Sequence, residues 1–189
     1  MNNKITKRKV LYPNEEKPTF TIPETYESYR YALGKTGSNP LLFIGMNPSA
    51  AKFDSSDSTV NTVIRISKFL NKDGWVMLNL YPERSTDAKN LCEFNLDLME
   101  KNIEVINNMI NKYKVNEIML GWGDQKNNKT LQKAKEILIS EIKRFNVKLL
   151  CFYNSKNQTI LTSTKNPRHP LYKKIEKKNF SYININNLL

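Results

Sequence analysis

One histidine and two cysteines are all that this chain of 189 residues offers as imidazole or thiolate ligands. The lone His169 excludes a polyhistidine metal centre. Cys92 and Cys151 stand far apart without Cys-x-x-Cys spacing, so neither a zinc site nor a disulfide framework is expected. Both thiols read as small buried residues in a reducing compartment. No metal and no cofactor is therefore expected. No apolar run approaches the ~20 residues of a membrane span. The opening MNNKITKRKV carries charge with no apolar stretch behind it, unlike a secretory signal. A cytoplasmic protein without a membrane partner is expected. Acidic residues are also scarce, 18 against 30 basic, for a net charge of +12. That balance favours a polyanionic partner, nucleic acid ahead of an acidic protein.

The length suits one well-buried domain, and 39% hydrophobic with 25% charged residues is a globular composition. Residues 1–28 read as a basic N-terminal arm, interrupted by Pro13, Pro18 and Pro23 and lacking a helical period. Residues 29–189 read as a single domain with no internal repeat and no dividing linker. Within it, apolar strands at 41–45, 75–80, 115–120 and 147–153 alternate with amphipathic helical stretches at 58–71, 91–113 and 130–145. Such alternation predicts an α/β fold, a three-layer α/β/α sandwich around a central four-stranded parallel sheet. Right-handed crossovers then bring every strand exit to one edge, where open α/β sheets bind ligands.

Those exits read GMNPSAA (45–51), LNLYPER (78–84), LGWGDQKN (120–127) and NPRHPLY (166–172). Together they set Asn47, Ser49, Asn79, Arg84, Asp124, Gln125, Arg168 and His169 around one cleft. Amides with a single imidazole and no carboxylate pair suit a planar, hydrogen-bonding ligand better than acid/base hydrolysis. The first loop lacks the glycines with which P-loops and Rossmann turns cradle phosphate, which disfavours a nucleotide-dependent small-molecule enzyme. Trp75 and Trp122 flank strands and read as core residues.

In order and register these segments resemble the uracil-DNA glycosylase superfamily. The matching segments are Gly45-Met46-Asn47-Pro48, Val76-Met77-Leu78-Asn79, Leu120-Gly121-Trp122-Gly123 and His169-Pro170-Leu171. More closely, NPSAA, NLYPER, GWG and PRHPLY resemble a bacterial and phage domain-of-unknown-function family, number 1643. The resemblance implies a glycosylase-like fold with a base-sized pocket. In it Asn47 and His169 would be the catalytic positions, and Asn79, Phe53 and Ser49 would meet the base. Arg168, Leu171, Tyr172, Lys173 and Lys174 would meet the DNA backbone or the vacated stack.

The chain departs from the family pattern at two places. Many active members carry an aspartate where Asn47 stands, and Leu171-Tyr172 replaces the usual Ser-Pro after His169-Pro170. The expectation is thus a monomeric, nucleic-acid-associated, vestigial glycosylase. It would bind DNA weakly and in a salt-sensitive way, with weak or no uracil excision. Two alternatives stand beside it: an active glycosylase for a modified or deaminated base, and a module captured by an acidic, DNA-mimicking inhibitor protein. The patch Asp54-Ser55-Ser56-Asp57-Ser58-Thr59 would repel phosphates, or Asp57 or Ser58 would cap the following helix.

Overall fold

A computed structural model describes residues 10–124, 128–154, 158–171 and 175–189. Its strands are β1 (Phe20–Ile22), β2 (Ala32–Lys35), β3 (Leu41–Gly45), β4 (Trp75–Asn79), β5 (Glu117–Leu120), β6 (Lys148–Phe152) and β7 (Phe180–Ile183). Helices α1 (Ser58–Phe69), α2 (Leu96–Tyr113) and α3 (Lys129–Ile142) lie between them. All strands join one sheet in the order β1-β2-β4-β3-β5-β6-β7. The sheet is thus seven-stranded and mixed, which corrects the expected four-stranded parallel one. The inner strands β4, β3, β5 and β6 pair parallel, while β1, β2 and β7 add antiparallel at the two sides. The flanking strands escaped the sequence reading because they are short and half-exposed, or, in β2, interrupted by Gly34.

Alternation along β3 shows how the layers form. Leu42 and Ile44 enter the core shared with α2 and α3, whereas Leu41 and Phe43 enter the core shared with α1. Both faces are buried, so the strand is apolar at every position but its terminal glycine. Removing one large inner side chain such as Phe43 would cost about 3–5 kcal/mol. The helices carry matching stripes: Val60, Val63, Ile64 and Ile66 on α1, and Met99, Val105, Ile106, Met109 and Ile110 on α2.

Polar caps set where the helices begin. Asp57, Asn95 and Asn128 each accept a backbone N–H from the first turn of α1, α2 and α3, respectively. Because Asn95 is the cap, α2 starts at Leu96 rather than at residue 91; a 3₁₀ turn, Ala88–Asn90, lies upstream. Lys114 in the left-handed region, φ 46°, closes α2 at its other end.

The described part of the N-terminal arm packs against the sheet. Tyr12 is buried, stacks on Trp75 at 6.0 Å and donates its hydroxyl to Lys52 O, while β1 pairs with β2. Among the described residues no helix is long and apolar enough to cross a membrane.

Candidate functional site

At the carboxyl end of the parallel strands the exits of β3 and β4 stay bonded beyond the sheet. Leu80 N–H donates to Gly45 O at 2.8 Å, Tyr81 N–H to Met46 O at 3.0 Å and Ser85 N–H to Pro48 O at 2.9 Å. Asn47 ties this pair of loops together. Its Nδ2 donates to Pro48 O at 3.2 Å, Glu83 O at 3.3 Å and Ser85 O at 2.9 Å. Both amide hydrogens are thereby spent on carbonyls, and Oδ1 is the group that Asn47 has left to offer a ligand.

The β5 exit approaches β3 so closely that a Cβ on Gly121 would lie 2.4 Å from Phe43 Cζ. Next, Trp122 is fully buried and donates Nε1–H to Asn166 Oδ1 at 3.1 Å, and Gly123, φ +71°, donates to Pro167 O at 2.8 Å. These bonds hold the loop that carries His169. Leu171 N–H donates to His169 Nδ1 at 3.2 Å, which puts the proton of the neutral ring on Nε2 as a donor.

Asn47, Ser49, Asn79 and His169 line one cavity of about 310 Å³. That is the low end of ligand-pocket volumes. The position also fits the topology. Crossovers leave β3 toward β4 on one side and later return to β5 on the other, and ligands bind open α/β sheets at such a reversal.

Asn79 is 1% exposed, and its Nδ2 donates to Arg30 O at 3.0 Å. Its own carbonyl accepts from Asn102 Nδ2 of α2 at 2.9 Å, so its backbone is fixed from behind. Asn79 therefore both faces the cavity and holds the segment entering β2.

Arg30, Ser85 and Thr86 are among the lining residues that the sequence did not single out for the site, and Asp57 and Thr59 were read only as part of a capping or repulsive patch. Asp57 is the α1 cap: Oδ1 accepts from Val60 N–H at 2.8 Å and Oδ2 from Ala51 N–H at 3.2 Å. Arg30 is 2% exposed. Burial, and then the neighbouring Arg84 charge, pull its guanidinium down to about 10, so it is charged at neutral pH. Burial likewise lowers Arg84, whose guanidinium lies 4.5 Å from the Tyr26 ring centroid. A basic residue inside the apolar run Tyr29 to Leu33 was the signal that could have exposed Arg30.

Other expected residues stand elsewhere. Phe53 is 52% exposed on the tight turn bridged by Lys52 and Ser55, outside the cavity lining. Arg168 donates Nη2 to Thr159 Oγ1 at 2.7 Å and Leu161 O at 2.9 Å, which braces its own loop. Asp124 accepts from the Thr162 and Thr164 hydroxyls behind the His169 loop. Leu171 is half-buried beside that loop. Tyr172, Lys173, Lys174 and Gln125 lie outside the described residues. Cys92 is exposed rather than buried, because residues 91–95 precede α2 instead of belonging to it; Cys151 is buried in β6.

Fold and cavity define an α/β/α domain with a ligand-sized site at the carboxyl edge of its parallel strands. The chain belongs to the family described as "Protein of unknown function (DUF1643)", whose model matches residues 30–171. No curated protein and no solved structure matches it.

Proposed function

We propose that this is a nucleic-acid-associated protein that receives one base in the cavity at the strand exits, with weak or no excision of uracil. The observation that carries the reading is the convergence of Asn47, Asn79 and His169 on one cavity of about 310 Å³. Amide and imidazole groups there can meet the hydrogen-bonding edge of an extruded base. A net charge of +12 supplies attraction to the backbone that is independent of sequence and sensitive to salt. The resemblance of the four exit segments to uracil-DNA glycosylases points the same way.

Weak turnover follows from how the polar groups are engaged. Cleaving a glycosidic bond leaves a cationic sugar, which a nearby carboxylate and a positioned water would stabilise. Asn47 brings a dipole, and its amide hydrogens are committed to loop carbonyls. Asp57, the carboxylate among the lining residues, already accepts two backbone N–H bonds. Replacing a full charge by a dipole in a low-dielectric site is worth on the order of a thousandfold in rate.

The test uses the full chain and labelled oligonucleotides carrying uracil, hypoxanthine, thymine mismatches or hydroxymethylated pyrimidines, with alkali revealing any abasic site. Binding that weakens steeply with salt, and no strand scission at a low protein-to-DNA ratio, is expected. Absence of binding to single- and double-stranded DNA at low salt overturns the nucleic-acid reading. Robust uracil excision overturns the assignment of weak turnover.

A further inference from the structure

Arg30 is a buried cation in the cavity wall whose hydrogen bonding is incomplete. Its Nη1 donates to Ala51 O at 2.7 Å, and that is its hydrogen bond among the described residues; Nε has no partner. A guanidinium can donate five hydrogen bonds. The same Ala51 carbonyl also accepts from Arg84 Nη1 at 3.1 Å, so two cations share one neutral acceptor, and Arg84 Nε is likewise buried without a partner. No carboxylate comes within ion-pair distance of either guanidinium among the described residues. Asp57, which faces the same cavity, is the carboxylate whose charge acts on Arg30; both its oxygens are engaged by backbone N–H groups, and neither makes an ion pair with the guanidinium.

Burying a charge that has no ion-pair partner is costly, and a bound anion would offset that cost. The backbone around Arg30 is rigid: its N–H donates to Pro82 O at 2.8 Å and its carbonyl accepts from Asn79 Nδ2 at 3.0 Å. With the backbone so fixed, the Nη1 bond to Ala51 O holds the side chain in the cavity wall. Thr59 on the first turn of α1 adds a hydroxyl to the same wall.

We infer that Arg30, supported by Arg84 and Thr59, forms a buried oxyanion subsite in the cavity, and that the ligand carries a phosphate group there. Forked N–H donors match phosphate oxygens two at a time, and the anion supplies acceptors and the ion-pair partner that Arg30 lacks. This does not depend on the remainder of the ligand being a nucleobase. A mononucleotide and a backbone phosphodiester present the same chemistry, and both are probes below.

The experiment follows the Arg30 guanidinium and the backbone amides of Thr59 and Asn79 by NMR in the full chain. Inorganic phosphate, thymidine 5′-monophosphate, thymidine and a short single-stranded oligonucleotide are titrated at constant ionic strength. Phosphate and the monophosphate should shift the Arg30 Nε–H and slow its exchange, saturating at one equivalent with a common constant. An equal effect of the oligonucleotide would identify a backbone phosphate as a source, and its absence a free phosphomonoester. Arg30→Met should weaken monophosphate binding about ten- to a hundredfold, while leaving the melting temperature of the empty protein unchanged or higher. Arg30→Lys keeps the charge without the fork and should fall between. If Arg30→Met does not fold, the titration of the natural chain decides. Shifts confined to surface lysines, or thymidine shifting the cavity amides as strongly as its monophosphate, would overturn the subsite. A failure of DNA binding alone would leave it standing.

Discussion

The indole N–H of Trp122 donates to Asn166 Oδ1 at 3.1 Å, and this bond joins the β5 exit to the loop that carries His169. Asn166 in turn donates Nδ2 to Thr164 O at 3.1 Å and Thr164 Oγ1 at 3.0 Å. Both partners are buried, so neither can turn to water instead. Replacing Asn166 by alanine leaves the indole donor unsatisfied and should cost about 1–3 kcal/mol. Urea unfolding measures that cost, and the imidazole resonances of His169 should shift with it. Unchanged His169 signals would show that the loop is held by other contacts.

Asn47→Asp would place a carboxylate in the cavity wall, and the structure gives that change a consequence for stability. A carboxylate there would face Glu83 O and Ser85 O, to which Asn47 now donates. The variant should lose about 1–3 kcal/mol at neutral pH. Protonation supplies a donor, so the folded state favours the neutral acid and raises its pKa. The variant's relative stability is then retained at low pH and lost as pH rises through that value. Chemical denaturation at two pH values tests this, and an equal penalty at both would contradict it.

The two thiols should differ sharply in reactivity. Cys92 is exposed, with its thiol pushed up by a hydrogen bond to and the charge of Glu83, whereas burial pushes Cys151 up to about 12. A thiol reagent should label one cysteine in the native protein and two after denaturation. Glu83→Gln should speed labelling of Cys92 near neutral pH, because the thiolate becomes easier to form. Native labelling of both thiols would contradict the burial of Cys151.

Asp124 gives the pH dependence of the His169 loop. Burial raises its carboxyl, but hydrogen bonds from Thr162, Thr164 and Asn166 and the Arg168 charge outweigh that and hold it below the ordinary value. A lowered folded pKa contributes stability above the unfolded value of about 4, and that contribution is lost as pH falls through the folded value. The stability gap between the natural chain and Asp124→Asn should therefore narrow between neutral pH and about pH 3. A gap that does not change with pH would show that the carboxylate is not what holds the loop.

The inner strands were legible because burial on both faces leaves an unbroken apolar run, as in Leu41 to Ile44. The loops could be placed at one edge because parallel strands share their direction. What stayed hidden depends on contacts between distant segments. β1, β2 and β7 are three or four residues long and gain their partners only when the sheet is assembled. Arg30 becomes a cavity residue only because segment 28–30 lies along 82–84, through the bridge of Tyr29 with Glu83. The individual roles of Asn47, Asn79 and Arg168 depend on which backbone atoms come within reach of their side chains. Residue type alone suggested ligand contacts; the geometry adds bracing of the loops around the cavity.

The outermost strands bear on how the protein can be cut. Residues 30–171, the span that the family model matches, omit β1 at one side of the sheet and β7 at the other. A fragment trimmed to those limits would expose the unpaired backbone of β2 and β6 and would strip Tyr12 from Trp75. Open sheet edges recruit other edges. Such a fragment should aggregate, whereas a boundary chosen from strand pairing would begin ahead of Tyr12 and run past Ile183.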